Sequence, residues 1–133
     1  MTYFYLKALH IAAMVIWLGG MMAFSLCGSL ASRAFAVPLR ILFGRLVTPA
    51  MALTWVAGIS LAYMGNWFNT GLWPWSKMLG AVMLSAMHGL IAGRLTRKAL
   101  HPKQKDPFLA WLGPAVIFAV MVLQIFIAVT KMF

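Results

Sequence analysis

Hydrophobic residues run along this chain in four long uncharged stretches, residues 8–32, 46–76, 78–93 and 107–130, set apart by arginine and lysine. A helix crossing a bilayer needs about 20 apolar residues. The pattern predicts four such helices, at residues 4–30, 46–65, 75–93 and 108–130. Short connections make sequential helices antiparallel neighbours. The expected fold is an all-α membrane protein, a four-transmembrane-helix antiparallel bundle forming a single integral membrane domain over residues 1–133.

Composition strengthens this picture. Of 133 residues 64% are hydrophobic and 9% charged, more apolar surface than a soluble domain can cover. The net charge of +10 is unevenly placed. Arg33, Arg40 and Arg45 fall between the first two expected helices. Arg94, Arg97, Lys98, Lys103 and Lys105 fall between the last two, and only Lys7, Lys77 and Lys131 lie at the opposite ends. This is the positive-inside pattern; it puts both basic connections in the cytoplasm and both termini on the outer side of the membrane. The basic residues then meet anionic lipid rather than nucleic acid. The start MTYFYL lacks a basic leader region, so the first helix is expected to stay in the mature protein. A single cysteine, Cys27, allows neither an intrachain disulfide nor a cysteine-based metal site.

Polar residues inside the apolar stretches are the candidates for chemistry, because an ionisable group in hydrocarbon is costly without a partner. His10, Met14, Trp17 and Met21 share one stripe of the first helix, and Lys77, Ala81, Leu84 and His88 one stripe of the third. Lys77 and His88 are separated by about 16 Å along the axis, comparable to the span of a porphyrin, and the wall between them includes Gly80 and Ala81. The only acid, Asp106, lies in a connection, so paired-carboxylate catalysis and Ser-His-Asp chemistry are excluded. Imidazole, amine and thioether remain, all ligands for a transition metal or haem iron. His10 is the first candidate for axial ligand, and His88 or Lys77 the second; depth pairs His10 somewhat better with Lys77. Lys77 is equally readable as an interfacial anchor and Arg94 as a residue snorkelling to the surface. Eleven methionines read mainly as packing, and Gln124 as a bond to a neighbouring helix.

Three segments carry a family resemblance: KALHIAAMVIWLGG, TPAMALTWVAGISLAY and WPWSKMLGAVMLSAMHG. Together, and in this order, they resemble the HemJ-type protoporphyrinogen IX oxidases, part of a wider CopD-like group of membrane proteins. The resemblance covers most of the first three helices. It implies a haem b-binding inner-membrane oxidoreductase of porphyrin biosynthesis that passes electrons to quinone, alone, as a homo-oligomer or in a larger membrane complex. The family's histidine in helix one maps to His10, its lysine opening helix three to Lys77, and its later histidine to His88. The chain departs from the oxidases at the end of helix one, where AFSLCGSLASRAF stands in place of a stretch with a Pro-Arg pair and a further histidine. Two other readings use the same residues: a membrane cytochrome that only transfers electrons, and a CopD-like copper-handling protein.

Overall fold

The computed structural model describes residues 1–30, 33–101 and 109–130, and among these there is no strand. The elements are α1 (Thr2–Leu30), α2 (Arg33–Leu42), a π-helical turn (Phe43–Val47), α3 (Thr48–Met64), α4 (Trp73–Leu100) and α5 (Leu109–Thr130). Among the described residues, Thr2–Cys27, Ala34–Met64 and Trp73–Leu100 are long and apolar enough to cross a membrane; α5 contains a shorter apolar run, Ala115–Ile127.

The largest departure from the sequence expectation lies before α3. Residues 33–45 are helix rather than a connection, and Leu42, Val47 and Thr48 all keep right-handed helical backbone across the junctions. Pro49 stands in the first turn of α3, but helical backbone runs on unbroken before it through the π turn. A mid-helix proline has no N–H to give, and its ring collides with the carbonyl four residues back, here that of Arg45. The π turn answers this by widening the helix locally: the Thr48 N–H donates to the Phe43 carbonyl, five residues back. Helix α4 likewise outruns its expected end at Gly93, taking Arg94, Arg97 and Lys98 into its last turns. At about 1.5 Å per residue its 28 residues exceed the ~30 Å hydrocarbon thickness, so helix remains beyond the apolar part to carry charge.

The connection from α3 to α4 is shaped by two left-handed positions. Asn66 has φ 51° and Gly71 φ 116°, enclosing a 3-10 turn at Trp67–Asn69. Asparagine and glycine are the residues that tolerate this region. The turn folds Trp67 back between Tyr3 and Trp73, with ring centroids 6.4 and 5.4 Å away.

The core is drawn from α1 (Trp17, Leu18, Met21, Phe24), the π turn and α3 (Phe43, Val47, Ala50), α4 (Leu84, Ile91, Leu95) and Ile117 of α5. Helices α1 and α3 run antiparallel in close contact, Gly20 lying against Val47 and Gly58 against His10. Small residues permit such approach. Helices α3 and α4 instead meet through long side chains. Trp55 Nε1–H donates to Ser85 Oγ at 2.9 Å, and Thr48 Oγ1 lies 3.0 Å from His88 Nε2.

Candidate functional site

His10 is half-buried on the side of α1 that faces α3. Its Nδ1 lies 3.0 Å from the main-chain carbonyl of Thr54. A carbonyl oxygen can only accept, so Nδ1 carries the proton and donates it. The tautomer follows: in the neutral ring the free lone pair resides on Nε2. The same α3 face makes room for the ring. A Cβ at Gly58 would stand 2.9 Å from His10 Cε1, closer than real contacts allow, so only glycine lets the imidazole lie flat there. The Thr54 hydroxyl donates back to Ala50 O at 2.8 Å, which keeps it off the imidazole.

Lys77 opens the buried length of α4 near the same end of the molecule. It is half-buried, its Nζ 5.5 Å from the centroid of the Trp73 ring one turn earlier.

His88 occupies a different level. It is 5% exposed, with Nε2 engaged by Thr48 and its ring 4.6 Å from that of Phe43 at 30°. Its Nδ1 is buried without a hydrogen-bond partner. Thr48 and Thr54, which receive His88 and His10, stand about 9 Å apart along α3 at 1.5 Å per residue. Two imidazole nitrogens on one metal ion would stand only about 4 Å apart, at roughly 2 Å from the metal each. His10 and His88 are thus placed at separate positions. The π turn is what aims Phe43 and Thr48 at His88.

The remaining stripe residues of α1 turn inward. Trp17 is 2% exposed, in the core, with Nε1 lacking an acceptor, while Met14 packs at the core's edge. The small wall expected between Lys77 and His88 is closed at Gly80, where the side chain of Gln124 fills the space that a Cβ would take. The reason is polar: an amide on an apolar helix needs a partner, and Gln124 Nε2 donates to the Ser76 carbonyl at 3.3 Å. Arg94 does not snorkel; it is 5% exposed, and Nη1 reaches the Ser25 carbonyl at 3.5 Å. His101 is exposed just past α4. Lys103, Lys105, Asp106 and Lys131 lie outside the described residues.

The carbonyl of Thr54 and the π turn were beyond sequence reasoning. The first is a main-chain group with no side-chain signature, and the second needs Pro49 to be placed inside a helix. Gly58 and Trp73 were visible, as a small residue in an apolar span and as an aromatic four residues before Lys77. Among the described residues no group of three or more His, Cys, Asp or Glu side chains converges on a metal position. The chain matches no protein-family model, no curated protein and no solved structure.

Proposed function

We propose that the chain is a four-span protein of the bacterial inner membrane, termini outward, that binds haem b through His10 and acts as an oxidoreductase of the protoporphyrinogen IX oxidase type, with quinone as electron acceptor. The observation that carries the reading is the bond from His10 Nδ1–H to the Thr54 carbonyl. Metal-ligating histidines characteristically donate their second ring nitrogen to such an acceptor, which fixes the tautomer, orients the ring and raises the basicity of the other nitrogen. His10 makes such a donation to Thr54, and Gly58 leaves the space for its ring.

The donor set fits a haem better than a bare metal ion. Among the described residues no three His, Cys, Asp or Glu side chains converge to hold a bare ion, whereas a macrocycle brings four nitrogens of its own. Lys77 belongs to the periphery in this reading: an ammonium over Trp73 has three donors and no lone pair, so it suits a carboxylate rather than iron. His88, engaged by Thr48 at another depth, serves the packing around the π turn. When bound, the haem supplies the electron chemistry; the chain supplies the ligand, its orientation and a low-dielectric surround.

The test is spectroscopic. Protein purified in mild detergent is expected to show a Soret band that shifts on dithionite reduction, and His10→Ala should remove it. A colourless wild type overturns the haem reading, and an unchanged spectrum in His10→Ala overturns the ligand. Restored growth of a strain lacking its protoporphyrinogen oxidase separates the enzyme from a cytochrome that only passes electrons.

A further inference from the structure

Before the π turn α2 packs directly on α4; beyond it α3 reaches α4 through side chains, Trp55 to Ser85 and Thr48 to His88. The two helices part near the π turn, and the Thr48–His88 pair bridges them there. The hydroxyl of Thr48 behaves unlike its fellows. Those of Thr54, Ser60, Ser85, Thr96 and Thr130 each donate to the carbonyl four residues back. Such a bond keeps the hydroxyl proton within its own helix. Thr48 Oγ1 turns instead to His88 Nε2, 3.0 Å away.

One bond between a hydroxyl and an imidazole engages one proton, and the neutral pair carries two. If Thr48 donates, the second proton sits on His88 Nδ1, which is buried without an acceptor. If Nε2–H donates, Nδ1 is only an unmatched lone pair, and the second proton belongs to Thr48, which is partly exposed. Orphaned buried N–H groups are the rarer defect, so the proton is on Nε2. Packing around the π turn accounts for the His88 ring, held 4.6 Å from that of Phe43, and leaves the Thr48 hydroxyl free to donate. Accepting from Nε2–H polarises that hydroxyl and strengthens it as a donor. The surface beside the pair is open. At Gly44, one turn before Thr48, and at Gly89, next to His88, a Cβ would meet nothing within 4 Å.

An acceptor that reaches this hydroxyl must dissolve in hydrocarbon and present an oxygen without a proton of its own. We infer that Thr48, backed by His88, holds a ring carbonyl of a membrane quinone that enters between α3 and α4. This rests on the reading of the chain as a quinone-linked haem protein, and it gives donor and acceptor separate seats, about 9 Å apart along α3.

A lipid ester offers the same carbonyl oxygen, and the experiment distinguishes the two. The full chain in nanodiscs is given a short-chain benzoquinone isotopically labelled at its ring carbonyls, so that their infrared stretch is resolved from the lipid esters. A quinone band moved to lower frequency is expected in the wild type, lost in Thr48→Val and kept in Thr48→Ser. Quinone affinity should be about fivefold weaker in Thr48→Val, as loss of one hydrogen bond implies. The Soret band of haem-loaded protein should be the same in all three, because His10 binds elsewhere. No quinone binding in the wild type, or a band shift that survives Thr48→Val, overturns the quinone site and leaves the haem reading standing. A shift in the ester band instead, lost in Thr48→Val, assigns the hydroxyl to lipid and overturns the site too. A Soret band altered by Thr48→Val overturns the separation of the two sites. A wild type that shows the quinone shift and no Soret band keeps this site and removes the haem.

Discussion

At the scale of residues the site depends on an absent side chain. Gly58 lets the His10 ring lie on α3, and the Thr54 carbonyl then fixes its proton on Nδ1. Two magnitudes decide what Gly58→Ala would do. Alanine gains about 1 kcal/mol over glycine in a helix interior. Displacing the imidazole loses one hydrogen bond, about 1 kcal/mol net. These cancel, so the thermal midpoint should barely move, while the misdirected ligand should weaken haem binding tenfold or more, as loss of an orienting bond to a ligating histidine commonly does. A titration of the variant with haem beside a melting curve checks both halves; unchanged affinity would show that the ring does not need its seat. This also marks what a sequence can reveal. His10 stands out because nothing else near it is polar, but its acceptor is a carbonyl that every residue possesses, so the pairing appears only once α1 and α3 are in register.

At the scale of elements, helix identity was legible and helix length was not. Charge clusters were read as ends of helices, yet Arg40 and Arg45 ride on the exposed side of α2 and the π turn, and Arg94 is taken into the packed part of α4. Helices extend past hydrocarbon where their charges meet headgroups, so a break in hydropathy bounds the apolar span and not the helix. The expected slot beside Gly80 failed for a related reason. The pattern of small residues shows where something may approach, and in this case Gln124 does. That contact yields a non-additive pair. Gln124→Ala should cost no more than about 0.6 kcal/mol, typical for a hydrogen bond between membrane helices. Gly80→Ala should cost about 1–3 kcal/mol, since its methyl must displace the amide from between α4 and α5. In the double variant the methyl enters vacated space, so its cost should fall below the sum of the two. Unfolding of the four proteins in mixed detergent measures the cycle; strict additivity would mean that Gln124 does not occupy this space.

At the scale of the whole molecule, the distribution of charge and aromatic residues gives the two ends opposite characters. Tyr3, Trp67, Trp73 and Trp75 gather where α1 and α4 begin, together with Lys7 and Lys77. Arg40, Arg45, Arg97 and Lys98 gather at the other end. An aromatic belt forms at either interface, so the tryptophans alone give no direction; the basic residues do, because lysine and arginine are retained on the cytoplasmic side. The proposed orientation therefore puts His10, and with it the proposed haem site, in the periplasmic half, reachable by a ligand entering from that leaflet. Cys27, the only cysteine and exposed, lies near the arginine end of α1 and is a ready reporter. A membrane-impermeant maleimide should modify Cys27 in inverted vesicles and spare it in intact spheroplasts. In a Cys27→Ser background, Asn69→Cys in the α3–α4 turn should show the reverse, being labelled in spheroplasts and protected in inverted vesicles. Labelling of both positions from one side would mean that the helix Ala34–Met64 between them does not cross, and an exchanged pattern would turn the molecule over and move the proposed site to the cytoplasmic leaflet.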